Sequence, residues 1–225
     1  MRDFKYVWVL GLLATLLIVF VPIALLVFPG GEEKPDPWTA LPPHPQPTDH
    51  RALLKGPFDD GPAVTAACLS CHEDAAQQVM HTSHWTWESE PVLLPGRDEP
   101  VTTGKKNSIN NFCIGIQSNW PSCTTCHAGY GWKDADFDFS DETAVDCLVC
   151  HDTSGQYAKT KTGIPAEGVD LVAAAQSAGI PTRQNCGSCH FSGGGGDAVK
   201  HGDLDQSLFY PAESIDVHMG RHNFL

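Results

Sequence analysis

Basic residues are scarce in this sequence: 14 lysines and arginines stand against 27 aspartates and glutamates, and the formal net charge is −13. This balance argues against nucleic acid as a partner, because binding to phosphates depends on clustered cations. Sustained alternation of apolar and polar residues is also missing, which argues against a large β-sheet. The sequence therefore predicts a mainly α-helical and irregular, acidic domain with little β-structure.

Charged residues are absent from Tyr6 to Phe28, a run that follows Arg2 and Lys5. About 20 apolar residues cross a bilayer as a helix, whereas a secretory signal has a shorter apolar core and a small-residue cleavage site, which is not found here. Residues 1–31 are therefore predicted to be one uncleaved transmembrane anchor in the cytoplasmic membrane, with a cleaved signal as the alternative. The basic residues before the run predict that the rest of the chain faces the periplasm or cell exterior.

Residues 32–62 are rich in proline, which predicts a semi-rigid extended linker. The two histidines of this segment, His44 and His50, are interpreted as solvent-exposed. Residues 63–225 form the remaining domain, with helical patterns at 73–87, 143–151 and 169–178.

Nine cysteines are present, and eight of them form four pairs of identical spacing, each followed at once by histidine. These CxxCH motifs, called motifs 1 to 4 below, are Cys68, Cys71 and His72; Cys123, Cys126 and His127; Cys147, Cys150 and His151; and Cys186, Cys189 and His190. The ninth cysteine is Cys113.

Each motif supplies two thiols that can form thioether bonds with the vinyl groups of haem, and a histidine placed to bind the iron. Paired cysteines alone would also fit zinc sites or redox disulfides. The histidine after every pair favours haem, since four chance occurrences have a probability on the order of one in a hundred thousand. The sequence therefore predicts four covalently bound c-type haems. Motifs 2 and 3 are close in sequence, so their haems are predicted to be neighbours.

A low-spin electron-transfer haem has a second axial ligand, commonly histidine or methionine. His84, in a predicted helix shortly after motif 1, is the leading candidate, and His81 competes with it. His201 and His218 are the next candidates. For each of them the alternative is an exposed or merely hydrogen-bonded histidine.

Five segments carry a more specific pattern: NNFCI at Cys113, CTTCHAGYGW from Cys123, VDCLVCHDT at Cys147, NCGSCHFSGGGGD at Cys186 and VKHGDLD from Val199. Together they resemble the amino-terminal half of the octahaem tetrathionate reductase family of c-type cytochromes, over about residues 68–218. The resemblance to hydroxylamine oxidoreductases and pentahaem nitrite reductases is more distant. These resemblances imply a multihaem cytochrome c fold for residues 63–225.

In the tetrathionate reductase family, a lysine binds the iron of one haem, and this haem is the active site. Matching the motifs implies that Lys200 is this ligand, that Asp197 and Cys113 lie nearby, that Asn110 lines the same pocket, and that the haem is the one of motif 2. An amine must lose its proton to bind iron, which costs about 4–5 kcal/mol at neutral pH and is offset by the metal bond.

Less specific interpretations of these residues stay open. Lys200 would otherwise be a surface lysine, Cys113 an inert thiol and Asp197 a group that binds backbone amides. Lys159 and Lys161, shortly after motif 3, are rival lysine ligands.

The sequence thus predicts a membrane-anchored multihaem cytochrome that transfers electrons. Its expected substrate is a small inorganic oxyanion or nitrogen species, such as tetrathionate, nitrite or hydroxylamine, reduced at the lysine-associated haem. The alternative is a non-catalytic tetrahaem carrier between quinol-linked membrane partners and external reductases, so an enzymatic role stays open. The family continues into four further CxxCH motifs, whereas this chain ends at Leu225. A fragment, a truncated product and a shortened tetrahaem relative all fit that difference.

Overall fold

The computed structural model describes residues 6–27, 46–109, 114–191, 197 and 204–222. The contacts divide the chain into two units, Met1–His44 and Pro45–Leu225.

The first unit contains helix α1, Val7–Val27, with Pro22 inside it. The stretch Val7–Ala24 is long and apolar enough to cross a membrane, and none of it is buried. The predicted N-terminal apolar helix is therefore confirmed. Its length and composition fit either a membrane span or a signal sequence.

The second unit consists of short helices joined by irregular loops. Its described part contains α2 Gly61–Leu69, α3 Ala75–Met80, α4 Ser83–Thr86, α5 Trp120–Cys123, α6 Leu148–His151, α7 Leu171–Gln176 and α8 Arg183–His190. Single 3₁₀ turns lie at His50–Ala52, Ile116–Ser118, Thr124–Cys126, Glu142–Ala144, Lys161–Gly163 and Gln206–Phe209, and a π turn lies at Val217–Arg221.

Strand pairing in the described part of the chain is limited to isolated bridges, such as the antiparallel bridge between Gly129 and Val145. The prediction of a mainly helical and irregular fold with little β-structure is therefore confirmed. This architecture suits a chain in which apolar residues alternate in no sustained pattern.

Side-chain caps explain where three of the helices begin. Asp60 accepts a hydrogen bond of 2.9 Å from a backbone amide in the first turn of α2. Asp170 accepts two such bonds, of 3.0 and 2.9 Å, at the start of α7. Thr182 and Asn185 form a reciprocal capping box at the start of α8. Each cap satisfies amide groups that have no partner within the helix.

One small core lies where α2, α6 and α7 pack together. Its buried residues are Val64, Leu148, Ala174 and Ala175. Two of the four are alanines, and Leu54 and Phe58 pack on the edge of this core. Gln176 Nε2 also donates to the Leu54 carbonyl at 2.7 Å.

A second core is aromatic and surrounds the histidine of motif 2. Its rings are Trp85, Trp87, Trp132, Phe137 and Phe139. The indole N–H of Trp85 donates to the Phe139 carbonyl at 3.0 Å, and that of Trp132 donates to the Asp134 carbonyl at 3.0 Å. The large rings therefore bury their apolar area without leaving these two donors unpaired.

A short backbone ladder connects motif 2 with motif 3. The Tyr130 amide donates to the Ala144 carbonyl at 2.8 Å, and the Asp146 amide donates to the Ala128 carbonyl at 3.0 Å. The chain just after motif 2 thus runs beside the chain just before motif 3. The buried Thr65 hydroxyl adds α2 to this contact by donating to the Val145 carbonyl at 2.6 Å.

Candidate haem-binding sites

Each motif folds as a helical turn, which brings its two thiols and its histidine together. In motif 1 the amides of Cys71 and His72 donate to the Cys68 carbonyl at 3.1 and 3.0 Å. Motif 3 lies in α6, motif 4 ends α8, and motif 2 spans α5 and a 3₁₀ turn. Side chains three and four residues apart share one face of a helix. One turn therefore suffices to present two attachment thiols and one imidazole.

At motif 1, His72 faces His50, which lies on the 3₁₀ turn His50–Ala52. The two ring centroids are 6.4 Å apart. An imidazole nitrogen lies about 2 Å from a first-row metal ion, so two imidazoles on opposite sides of one iron have centroids roughly 6 Å apart. Both rings line a cavity of about 590 Å³ together with Cys68 and Cys71. The Nδ1 atom of His50 is buried without a hydrogen-bond partner. These residues fit a haem iron with two axial histidines.

Motif 4 shows the same arrangement with His84 as the opposite ring. The centroids of His84 and His190 are 6.1 Å apart, with the ring planes nearly perpendicular. The two rings line a cavity of about 680 Å³ together with Cys186 and Cys189. His84 follows motif 1 in sequence, yet the fold brings it to motif 4. This set of residues also fits a haem with two axial histidines.

The motif 3 histidine is oriented by a backbone carbonyl. His151 Nδ1 lies 2.8 Å from the Gly179 carbonyl oxygen, just after α7. Metal-binding histidines usually donate their second ring N–H to such an acceptor, which leaves the other nitrogen for the metal. His151 also lines the cavity at motif 1. Motif 3 therefore fits a haem whose proximal ligand is His151.

His127 of motif 2 lies in a different environment. Its side chain is fully buried, and its Nε2 atom lies 2.8 Å from the Trp85 carbonyl oxygen. The rings of Trp85, Trp87 and Trp132 have centroids 5.0, 5.4 and 4.7 Å from that of His127. Burial lowers the pKa of His127 to about 3; the Trp85 carbonyl opposes this shift, and the nearby lysines add to it. His127 lines neither of the two cavities above, so motif 2 lacks the fit found at motifs 1 and 4.

Cysteines of different motifs line the same cavities. Cys68 of motif 1 and Cys147 of motif 3 both line the cavity at motif 1. Cys126 of motif 2 and Cys189 of motif 4 both line a further cavity of about 320 Å³. Cys150 of motif 3 lines the same cavity as the motif 4 cysteines. Cys126 of motif 2 lines that cavity as well. That the haems of motifs 2 and 3 are neighbours stays a prediction.

Asn185 strengthens the link between motifs 3 and 4. Its side-chain amide donates to the Asp152 carbonyl at 2.8 Å and to the Val149 carbonyl at 3.4 Å. The residue before motif 4 is thus bound to the backbone of α6 and of the residue that follows it.

Four predicted site residues lie outside the described part of the chain: Asn110, Cys113, Lys200 and His201. Asp197 is described and exposed, and it accepts a hydrogen bond of 3.3 Å from the Gln206 amide. The assignment of Asn110, Cys113, Lys200 and Asp197 to a pocket at motif 2 stays a prediction, and so does the role of His201 as an axial ligand.

Lys159, one of the rival lysine ligands, is already engaged within the fold. Its Nζ atom lies 2.9 Å from Asp146 Oδ2 and donates to the His127 carbonyl at 2.5 Å. Because this buried ion pair occupies the ammonium group, Lys159 is a poor candidate for an iron ligand. Lys161 is exposed on its 3₁₀ turn.

Two other predicted axial histidines, His81 and His218, line neither of the two cavities. His81 Nδ1 lies 2.6 Å from the Gln77 carbonyl at the end of α3, and the side chain is exposed. His218 is also exposed and lies 3.9 Å from Asp216. Their roles as ligands stay predictions.

His50 is the residue that sequence reasoning missed. Its position in a proline-rich segment suggested exposure, whereas the fold brings it opposite His72. Asp49, which accepts a 3.0 Å hydrogen bond from the Arg51 amide, caps the turn that carries it. The sequence TDHRA does contain this capping signal, but the signal indicates a helical turn and not its partner.

Comparison with known proteins agrees with this fold. No family model matches the chain. An uncharacterized protein of Archaeoglobus fulgidus is 23% identical, over 67% of this chain and 67% of that protein. The crystal structure of octaheme cytochrome c from Shewanella oneidensis superposes with a TM-score of 0.71 and 55% identity. The match covers 79% of this chain and 40% of that one, so this chain spans less than half of the solved protein's length.

The fold, the 55% identity and the four CxxCH motifs together support a multihaem c-type cytochrome with covalently bound haem iron. The class transfers electrons. A tetrathionate reductase subfamily, a count of four haems and a substrate go beyond this likeness.

Proposed function

We propose that this multihaem c-type cytochrome is a membrane-anchored electron carrier with four haems, whose domain faces the periplasm or cell exterior. The observation that supports it best is the presence of two facing histidine pairs, His50 with His72 and His84 with His190, at 6.4 and 6.1 Å. A haem iron held by two histidines gains and loses one electron without needing an open ligand position. Such pairs favour electron transfer over substrate binding at motifs 1 and 4.

The arrangement of the four motifs in the fold indicates the order in which electrons pass between their haems. Cysteines of motifs 1 and 3 line one cavity, those of motifs 2, 3 and 4 line a second, and those of motifs 2 and 4 line a third. We infer that electrons pass between the groups attached at these motifs in the order 1, 3, 4, 2 or its reverse. The donor is expected to be a quinol-linked membrane protein, because α1 would hold the domain at the membrane.

The histidine pairs are tested by three single substitutions in the holoprotein: His50→Ala, His84→Ala and, as a matched control, His81→Ala. Low-temperature EPR of the oxidised protein should show one low-spin haem lost and one high-spin haem gained for each of the first two variants. His81→Ala should leave the spectrum unchanged, because His81 lines neither of the two cavities. The assignment is overturned if the EPR spectrum of His50→Ala is unchanged and that of His81→Ala changes.

A second candidate function is reduction of a small oxyanion at motif 2. The environment of His127 favours it, because this motif alone among the four has a fully buried histidine within an aromatic core. Lys105 and Lys106 stand over the Trp87 and Phe139 rings at 4.1 and 4.3 Å, so two cations border that core. Cations beside a site attract anionic substrates. The roles of Lys200, Asp197, Cys113 and Asn110 in this site rest on the family resemblance.

Substrate reduction is measured with tetrathionate, nitrite and hydroxylamine and a chemical electron donor. Tetrathionate takes up two electrons, and its central S–S bond breaks to give two thiosulfate ions. Lys200→Ala should abolish turnover with haem content unchanged, whereas the control Lys161→Ala, an exposed lysine, should keep it. If the unsubstituted protein reduces none of the three substrates and none of them changes its EPR spectrum, substrate reduction is wrong and electron transfer is the remaining function.

A further inference from the structure

A buried ion pair lies between motifs 2 and 3. The carboxylate of Asp146 is fully buried and its partner, the Lys159 side chain, is 6% exposed; the charged atoms are 2.9 Å apart. Asp146 also accepts hydrogen bonds from the Tyr130 hydroxyl at 2.9 Å, the Tyr157 hydroxyl at 3.0 Å and the Val149 amide at 3.0 Å. With four donors, the carboxylate is held in one position.

The two charges are also fixed to the motifs themselves. Asp146 directly precedes Cys147, and its bond to the Val149 amide lies in the first turn of α6, the helix of motif 3. Lys159 donates to the His127 carbonyl at 2.5 Å and to the Gly129 carbonyl at 3.4 Å, both beside motif 2. Neither charge can therefore move away from motif 3 without breaking several bonds.

The charges act on motif 3 in opposite directions. The Asp146 carboxylate is bonded to the first turn of the motif 3 helix, and the Lys159 ammonium lies 2.9 Å from it. The fields of both charges are strong in a buried site, where water screens them little. A negative charge disfavours an added electron, and a positive charge favours it.

We propose that Asp146 and Lys159 form an opposed pair of buried charges that sets the reduction potential of the haem attached at motif 3. This inference rests on the proposed electron-transfer function. Asp146 lowers the potential, Lys159 raises it, and their fixed separation determines the balance. The pair acts through charge and position, and neither residue binds the iron. Motif 3 is the second position in the inferred order, so the balance controls how readily electrons pass between motifs 1 and 4.

The test is a potentiometric titration of the holoprotein, followed by visible spectroscopy, for Asp146→Asn, Lys159→Met and the double variant. Asp146→Asn should raise one of the four midpoint potentials, and Lys159→Met should lower the same one. We expect about a tenfold change in the reduced-to-oxidised ratio of that haem at fixed solution potential, which is about 59 mV for a one-electron couple. The double variant should return towards the original value.

Two controls separate a charge effect from a structural one. Lys159→Arg keeps the cation and should keep the potential if the fold accommodates it. Asp141→Asn removes an exposed carboxylate from the turn before motif 3. It should change every midpoint potential by only a small fraction of the shift expected for Asp146→Asn. Loosened packing would admit water in both single variants and shift the potential in one direction. Shifts of the same sign, or equal shifts at all four haems, would overturn the proposal.

Failure of the proposed function gives a different result. Intact-mass measurement of each variant counts the covalently bound haems before titration. If the unsubstituted protein carries no covalent haem, the electron-transfer function is wrong. If it carries haems but neither Asp146→Asn nor Lys159→Met shifts a midpoint potential, only the inference on Asp146 and Lys159 is wrong.

Discussion

At the residue scale, two glycines show how closely the chain is packed around motif 2. Gly163 and Gly131 both have left-handed backbone conformations, with φ of 76° and 81°. A Cβ atom on Gly163 would lie 2.4 Å from the Gly129 carbonyl oxygen, whereas one on Gly131 would meet nothing within 4 Å. The backbone of the Lys161–Gly163 turn therefore lies in direct contact with the segment that follows motif 2.

These glycines give a matched pair of substitutions. Gly131→Ala should destabilise the protein by about 1–2 kcal/mol, the cost of a left-handed alanine. Gly163→Ala should cost about 1–3 kcal/mol more, because the added methyl overpacks against backbone that cannot rotate away. The measurement is the midpoint of guanidinium chloride unfolding of each holoprotein, followed by tryptophan fluorescence. Equal unfolding midpoints for the two variants would show that the turn is not in close contact with the segment after motif 2.

At the element scale, two of the helices that carry the motifs are very short and depend on neighbouring segments. α6 and α5 have four residues each, and isolated helices of that length do not persist in water. Helix α7 supports motif 3 from outside, since Gly179 just beyond it accepts from His151. Ser177, the C-terminal cap of α7, also donates to Asp152 Oδ1 at 2.9 Å. The orientation of His151 therefore depends on α7 being formed.

Removing the cap of α7 tests this dependence. Asp170→Ala should destabilise the holoprotein by about 1 kcal/mol, because two amides in the first turn lose their acceptor. Asp170→Asn should lose much less stability, since asparagine caps a helix nearly as well as aspartate. Thermal unfolding followed by circular dichroism compares the two. The idea fails if alanine and asparagine give the same apparent melting temperature.

Local signals in the sequence predicted several elements well. The helical pattern at 143–151 predicted the turns at motif 3, and the run from Tyr6 to Phe28 predicted α1. The alanine-rich pattern at 169–178 predicted α7, because its cap and its small residues lie within a few positions of one another.

Long-range pairings could not be predicted in this way. His50 and His84 face motif histidines because the whole fold brings those segments together, and neither local sequence contains that information. Lys159 looked like a possible ligand, since burial and an Asp146 partner are invisible in sequence. The proximity of motifs 2 and 4 likewise depends on packing and not on sequence distance.

At the scale of the whole molecule, an apolar helix adjoins a strongly acidic sequence. If α1 is an anchor, the full-length holoprotein should stay in the membrane fraction after washing with high salt, and its intact mass should include residues 1–31. Leu12→Arg with Leu16→Arg should abolish membrane-bound holoprotein, because each charge at the centre of a span costs about 2.5–3.5 kcal/mol. Leu12→Ala with Leu16→Ala is the control. Soluble holoprotein lacking the segment would identify a cleaved signal instead.

The bond from Lys159 to the His127 carbonyl joins residues 32 positions apart, with motif 3 between them. A chain exported from its amino terminus releases His127 first, then all of motif 3, and only then the lysine that fixes the motif 2 backbone. The Gly179 carbonyl that orients His151 of motif 3 leaves later still. Each of these two motifs therefore reaches its final local structure only after a later part of the chain has been exported.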